Sequence, residues 1–183
     1  CILERRSGEI LVSGNTLLSL AEENGRWTVT PVELSVPTNM LSYLTEDHDG
    51  NLWLVRNGKW LHRISPSGKS STYSFIGNAG SISCLCVDTY GNVLVGTGGN
   101  GLFVYRRQSD DFAHVEPEGI EGLRVKSILS DSRTGTLVGS DGNGIFNFNS
   151  KEMTLKQYPF GDSHFNTLNS KIHSMLCDNS GNL

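Results

Sequence analysis

The sequence repeats a unit of about forty residues, and this repeat constrains the fold more than any single motif does. Each unit carries an Asp-x-x-Gly turn that is followed, after one further residue, by apolar residues. The turn begins at Asp47, Asp88 and Asp178, and at Asp131 with one additional residue. A remnant of the unit occupies residues 8–12. A regular period of this size predicts an array of small units that bury their faces against one another.

Within one unit, short apolar segments alternate with turn residues. In the clearest unit, strands are predicted at 82–88, 92–96, 102–105 and 112–115. Four short antiparallel strands per unit, without helical periodicity, are typical of a β-propeller blade. The sequence therefore predicts an all-β fold, a β-propeller fragment of four-stranded antiparallel blades, with about four blades of a larger ring.

The first strand of each unit is apolar and β-prone, which predicts burial on both faces. We expect its equivalents at 41–47, 125–131 and 172–178. The Asp that follows is expected to accept hydrogen bonds from backbone N–H groups two or three residues further on.

The repeat also predicts how the chain is divided. We expect a single partial propeller over 1–183, in which the end blades expose unpaired sheet edges and so favour self-association. The approximate blades are 1–37, 38–79, 80–122, 123–170 and the start of a further blade at 171–183.

The composition argues against two classes of partner. The net charge is −4 and no basic run is present, so neither nucleic acid nor an anionic membrane surface is expected. No apolar stretch approaches the roughly 18 residues of a spanning helix. The 21 glycines cluster at fixed positions of the repeat and indicate turns, not disorder.

The four cysteines do not predict a disulfide framework. Cys84 and Cys86 lie two residues apart on a predicted strand, so they share a face and cannot easily bond each other. Cys177 falls on the opposite face of the equivalent strand. We expect buried free thiols, and no zinc site, because no second Cys or His pair has ligand spacing.

Two short motifs resemble cofactor sites but are better explained as turns. Residues 96–101 match the dinucleotide pattern Gly-x-Gly-x-x-Gly, which requires a helix next, whereas 102–105 alternate as a strand. We predict a tight hairpin turn there. Residues 47–51 are too few for a calcium loop and lack its bidentate Glu. No cofactor and no metal site is predicted.

No catalytic residue is predicted either. The histidines fall at unrelated positions of the repeat, without a partner at a spacing that suggests nucleophilic or acid–base chemistry. They are His48, His62, His114, His164 and His173. The turn Asp residues recur in the units, whereas a catalytic pair is normally unique within an array.

The loop between the second and third strands of the second unit differs from the equivalent loops of the third and fourth units. It displays Arg56, Lys59 and Trp60 where small residues are expected, and His62 follows in place of Phe103 and Phe146. Such loops are expected to open on the same face of a blade as the linkers between blades. The predicted linkers are 76–80, 117–123 and 160–170.

An aromatic residue beside an arginine is typical of a recognition hot spot, and Trp with Asn suits sugar rings. The alternative is that Trp60 packs between blades and Arg56 is merely solvated. The candidate ligand-binding residues are Arg56, Lys59, Trp60, Asn100, Asp141 and Asn143.

The motifs Asp-x-x-Gly-Asn-Leu-Trp and Gly-Thr-x-x-x-Gly-Leu-Phe resemble the two-component regulator propeller repeat, most clearly over 88–105 and 131–148. Only Trp53 keeps the Trp of that repeat. The resemblance implies seven-bladed rings in the periplasmic sensor region of a membrane-anchored hybrid histidine kinase. We therefore expect a non-catalytic sensing propeller that recognises a glycan or oligosaccharide. The alternatives are a protein-interaction or structural propeller and a propeller lyase or glycosidase.

Overall fold

A computed structural model describes residues 1–74, 80–158, 170–178, 180 and 182–183. The described residues form sixteen strands and no helix, which confirms the predicted all-β class. None of them belongs to a helix long and apolar enough to cross a membrane. Most of two predicted linkers, and His164 with them, lie outside the described residues.

The chain divides into two compact units, Cys1–Phe75 and Ile76–Leu183. In the first unit, one sheet has the order β1-β2-β3-β4 and the other has the order β5-β6-β7-β8. We call them blade 1 and blade 2. Their strands are β1 (Ile2–Glu4), β2 (Ile10–Ser13), β3 (Leu17–Glu23), β4 (Arg26–Pro31), β5 (Leu41–Glu46), β6 (Leu52–Arg56), β7 (Trp60–Ile64) and β8 (Ser70–Ser74).

The second unit holds blade 3, with the order β9 to β12, and blade 4, with the order β13 to β16. All pairings in both units are antiparallel and join strands that are consecutive in sequence. The strands are β9 (Ile82–Val87), β10 (Val93–Thr97), β11 (Leu102–Arg106), β12 (Asp111–Val115), β13 (Val125–Asp131), β14 (Gly135–Ser140), β15 (Ile145–Asn149) and β16 (Thr154–Gln157).

Equivalent residues of the repeat occupy equivalent places in the sheets. Leu85 of β9 lies opposite Val95, and Ile128 of β13 lies opposite Val138. A register shift interrupts the first strand pair at the same end in blades 2, 3 and 4. The repeat in sequence is therefore a repeat in structure.

The prediction that the first strand is buried on both faces is wrong. Every residue of β10 is buried, whereas β9 carries only two buried residues, Ile82 and Cys84. The reason is position in the sheet: β9 is an edge strand with one hydrogen-bonded neighbour, and β10 lies between two strands.

The strand predicted at 172–178 is also absent. Its start is marked by an isolated bridge between Lys171 and Asp141 and by a hydrogen bond from Ile172 N to Ser140 O. In the other blades the first strand pairs with the strand that follows the Asp turn. Among the described residues after 170, no strand is present that could pair with 172–178.

The Asp turns are built by the Asp carboxylate. Asp47 Oδ1 accepts hydrogen bonds from Asp49 N at 2.9 Å and from Asn51 N at 3.0 Å, and Asp88 makes the same contacts. The partners lie two and four residues on, not two and three. Because Gly50 N donates to the carbonyl oxygen of Asp47, the third N–H is already used.

Asp47 makes a further contact through the Trp that only this turn carries. Trp53 Nε1 donates to Asp47 Oδ2 at 2.7 Å in a buried environment. Burial opposes ionisation of Asp47, but hydrogen bonds from Trp53 and Asn51 outweigh that effect and lower its pKa.

Each unit has its own apolar core. The core of the first unit joins Leu11 and Leu17 of blade 1 to Leu44 and Leu54 of blade 2. The core of the second unit gathers side chains from blades 3 and 4, including Leu94 and Phe146. Blades of this kind are too thin to bury both faces alone, so packing against a neighbour stabilises them.

The four thiols are free, but the prediction that they are buried holds only for Cys84: Cys86 and Cys177 are partly exposed and Cys1 is exposed. Burial raises the pKa of Cys84 to about 12 and that of Cys86 to about 11. Both therefore remain protonated near neutral pH and act as small core residues.

Candidate functional site

The 56–60 loop of blade 2 contains a tight β-turn over residues 56–59. Asn57 and Gly58 have φ values of 53° and 61°, and Lys59 N donates to Arg56 O at 3.1 Å. Positive φ at both central residues is the geometry of a type I′ hairpin turn, which Asn-Gly favours. The backbone thus closes this turn without help from a side chain.

One face of blade 2 carries three side chains that its siblings lack, and we call it the Arg56 face. Arg56 lies directly opposite Trp60, and His62 is two residues further along the strand of Trp60. Opposite residues and residues two apart share a face of a sheet. Arg56 Nε donates to Asn39 Oδ1 at 3.2 Å, and Trp60 is 36% exposed.

His62 is buried, with 6% of its surface exposed, and is only half satisfied. Its Nδ1 lies 2.9 Å from Thr72 Oγ1, whereas Nε2 has no hydrogen-bond partner among the described residues. Burial, and then the positive charge of Arg56, lower the pKa of His62. The imidazole is therefore neutral near pH 7.

His62 is not among the predicted site residues, although its replacement of Phe103 and Phe146 is visible in the sequence. The strand register confirms that the three residues occupy equivalent places in blades 2, 3 and 4. A polar ring at a position that is aromatic and apolar elsewhere requires a partner, and Nε2 has none in the described part of the chain.

The equivalent loops of blades 3 and 4 are closed by a buried hydroxyl. Thr97 Oγ1 donates to Gly101 O at 3.0 Å and accepts from Asn100 N at 3.0 Å. Ser140 repeats both contacts with Gly144 O and Asn143 N. Because strand β11 follows the 97–101 loop at Leu102, the predicted hairpin turn is confirmed.

These two loops contact the linkers before and after their blades. Gly98 N donates to Ser81 O at 2.8 Å, and Gly101 N donates to Leu123 O at 2.9 Å. Gly144 N donates to Ser170 O at 3.1 Å. Within the second unit, the described residues at the ends of these linkers therefore lie beside the loops.

The predicted site residues of the second unit are engaged in local hydrogen bonds and ion pairs. Asn100 O accepts a hydrogen bond from His114 Nε2 at 2.9 Å, and Asn143 O accepts one from Gln157 Nε2 at 3.1 Å. Asp141 lies 3.7 Å from the ammonium groups of both Lys126 and Lys171. Its charge is therefore compensated locally.

A cavity of about 320 Å³ lies in the second unit, away from these loops. It is lined by Tyr90, Thr136, Phe148, Ser150 and Lys151, among others, and by none of the predicted site residues. Tyr90 is 74% exposed. Of the predicted residues, only Arg56 and Trp60 are brought face to face; Lys59 is their exposed neighbour.

Comparison with solved structures supports the propeller fold. The chain resembles the extracellular domain of a protein described as a hybrid two-component system of B. thetaiotaomicron, with a TM-score of 0.74 and 18% identity over 99% of this chain and 24% of that one. A second such domain from the same organism gives a TM-score of 0.67 and 21% identity over 94% of this chain and 24% of that one.

Virginiamycin B lyase from Staphylococcus aureus is also similar, with a TM-score of 0.65 and 16% identity over 89% of this chain and 56% of that one. No family profile and no curated protein matches the chain. The four sheets are thus the blades of a β-propeller fragment. The chain spans about a quarter of the two-component domains it resembles.

Proposed function

We propose that this chain is part of the extracytoplasmic, ligand-sensing propeller of a two-component receptor. The observation that carries the proposal is the structural likeness over 99% of the chain to an extracellular domain described as belonging to such a system. The repeat motifs in the sequence support the same reading. In this proposal the chain does no chemistry, and a histidine kinase elsewhere in the receptor does.

We further propose that the ligand is a glycan and that the Arg56 face contacts it. A partly exposed indole offers an apolar surface to a sugar ring, and Arg56 and Asn39 offer hydrogen-bond donors and acceptors beside it. An aromatic residue with an adjacent Arg is the composition of a binding hot spot.

Signalling adds one physical requirement to this function. A ligand changes the output only if it binds one arrangement of the receptor more tightly than another, since equal affinity shifts no population. Binding at the Arg56 face would therefore have to differ between the resting and signalling arrangements of the complete receptor.

The proposal is tested by titrating the 183-residue chain with a panel of oligosaccharides in a calorimeter. We expect at least one glycan to bind, and Trp60→Ala to weaken it about tenfold, as for a hot-spot aromatic. The matched control is Trp27→Ala, which removes an exposed Trp from β4. No binding by any glycan would favour an interaction or structural propeller instead.

The lyase similarity supports a second candidate function, an enzyme propeller. A histidine-to-alanine variant of the Staphylococcus aureus lyase is described as catalytically inactive, and this chain also contains histidines. Incubation of the chain with virginiamycin B, followed by chromatographic separation of the antibiotic from any product, tests it. Conversion of the antibiotic would support the enzyme, and unchanged antibiotic would support the sensor.

A further inference from the structure

We propose that the Arg56 face binds an acidic sugar, one whose ring carries a carboxylate or a sulfate, and that His62 takes up a proton when this sugar binds. The inference rests on the proposed sensing function and names its ligand class. It is carried by three observations: the placement of three replaced side chains and, among the described residues, a buried nitrogen without a hydrogen-bond partner and a positive charge without a carboxylate partner.

The three replacements fall together in space. Arg56 stands where blades 3 and 4 have Thr97 and Ser140, and Trp60 stands where they have glycine. His62 stands in place of phenylalanine. Arg56 faces Trp60 across the strand pair and reaches His62 along the diagonal, a spacing of roughly 7–8 Å that long side chains bridge.

The nitrogen Nε2 of His62 is the unsatisfied group. Thr72 Oγ1 satisfies Nδ1, so in the neutral ring Nε2 is left either as a donor or as an acceptor, without a partner among the described residues. A histidine this buried normally has both nitrogens bonded. His62 lies opposite Leu54, which belongs to the core of the first unit, whereas Trp60, two residues before it on the same face, is 36% exposed.

The charge at this end of blade 2 is positive. The described partner of Arg56 is the neutral side chain of Asn39, and Lys59 is exposed with no carboxylate within ion-pair distance among the described residues. The guanidinium fork matches the geometry of a carboxylate or sulfate. In the 140–144 loop, by contrast, Asp141 already has two lysines beside it.

These features select a ring that carries an anion. The apolar side of a sugar ring suits the indole of Trp60, and its anionic group suits Arg56. A neutral sugar would leave the guanidinium paired only with Asn39. A small free anion would leave Trp60 unused.

Proton uptake follows from the charges around His62. The charged group that lowers the pKa of His62 is Arg56 on β6. The neighbouring strand β8 has no charged residue, and Arg63 lies on the opposite face of β7. Glu46 of β5 forms an ion pair with Arg5. An anion on Arg56 offsets the repulsion that keeps His62 neutral and can accept from Nε2–H. The bound state therefore holds its proton to higher pH than the free state, and affinity rises as pH falls.

The probes are galacturonic acid oligomers, the same oligomers fully methyl-esterified, and a sulfated galactose oligomer, each titrated calorimetrically at pH 7.5 and 5.5. The uronate stays ionised over this range, because carboxyl pKa values lie near 4. We expect the acid to bind at least about tenfold more tightly than its ester and more tightly at pH 5.5 than at pH 7.5. The sulfated arm decides which anion is preferred.

Three variants locate the effect. Arg56→Gln should remove the preference for the acid over the ester. His62→Phe, the residue of the sibling blades, should keep the preference but abolish the dependence on pH. The control Arg26→Gln removes an exposed arginine of β4 and should leave affinity and pH dependence unchanged.

Equal affinity for acid and ester would overturn the inference while leaving glycan sensing intact. Binding of only neutral glycans from the wider panel would do the same. A pH dependence that survives in His62→Phe would overturn the role of His62. Failure of every glycan would overturn both the inference and the proposed ligand.

Discussion

The 56–60 loop of blade 2 and the 97–101 loop of blade 3 join equivalent strands but are closed in different ways. In the first, the backbone alone makes the turn, with positive φ at Asn57 and Gly58. In the second, the buried hydroxyl of Thr97 ties the loop together, and the position of positive φ moves to Gly101.

The difference explains why only one loop displays large side chains. Thr97 is fully buried because its hydroxyl serves the loop, so no longer residue fits there. The type I′ turn has no such requirement, and Arg56 at the equivalent position is available for other contacts. A change of turn type thus converts a structural position into one that can contact a ligand.

The largest expected effect concerns Gly101, the counterpart of Trp60. A Cβ at this residue would meet Val115 O at 2.7 Å and Glu116 Cγ at 2.6 Å, and φ is +64°. Gly101→Ala should therefore lower the free energy of unfolding by about 2–5 kcal/mol, from the left-handed backbone and the overlap together. Urea denaturation followed by circular dichroism measures it.

Gly119→Ala separates the two causes. Gly119 has φ of +75°, but none of the described residues lies within 4 Å of the position of a Cβ. It should cost only the backbone part, about 1–2 kcal/mol. Equal losses for the two variants would mean that crowding at Gly101 has no role and that the comparison of the loops is wrong.

The next effect concerns the hydroxyl that closes the 97–101 loop. Thr97→Val keeps the shape but leaves Asn100 N without its acceptor, and should cost about 1–2 kcal/mol. The control is Thr28→Val on β4, which removes a solvent-exposed hydrogen bond of the hydroxyl and should lower the free energy of unfolding by only a small fraction of that amount. A Thr97→Val variant as stable as the wild type would show that the backbone closes this loop as well.

Sequence periodicity was sufficient to predict the fold because each blade repeats the same turns and strands. The Asp turn, the apolar strands and the Gly-rich loops recur, so the assignment of one unit carries to the next. Burial could not be read in the same way. The composition of β9 resembles that of a central strand, but its burial depends on having one neighbour or two.

The candidate site was only partly predictable. Arg56 and Trp60 stood out because they break the repeat, and their opposition follows from strand register. The unsatisfied nitrogen of His62 and the contact of Arg56 with Asn39 depend on side-chain packing between distant residues. Periodicity carries no information about such contacts.

A smaller effect is expected when His62 is replaced by phenylalanine, the residue at the equivalent position of blades 3 and 4. At pH 7.5, His62→Phe should change the free energy of unfolding by no more than about 1 kcal/mol, since the loss of the Thr72 contact is offset by removal of an unsatisfied nitrogen. The informative readout is the pH dependence, measured by urea denaturation between pH 7.5 and 5.5.

The sign of that dependence is fixed by the lowered pKa of His62. Below the ordinary value of 6.5 the unfolded chain binds a proton that the folded chain does not, so stability falls as pH falls towards the folded pKa. The wild type should therefore lose more stability than His62→Phe over this range. The opposite order would indicate that a carboxylate, not Arg56, dominates the surroundings of His62.

The smallest effect is expected at Gly99, inside the same loop as Gly101. Its φ is not positive, and a Cβ there would meet none of the described residues within 4 Å. Gly99→Ala should therefore be neutral or stabilising by up to about 0.5–1 kcal/mol, because it mainly restricts the unfolded chain. Gly14→Ala, which has the same open surroundings, is its control. A loss above about 1 kcal/mol at Gly99 alone would mean that the 97–101 loop needs glycine for its path as well as at its end, and the two loops would then differ in more than the residue that closes them.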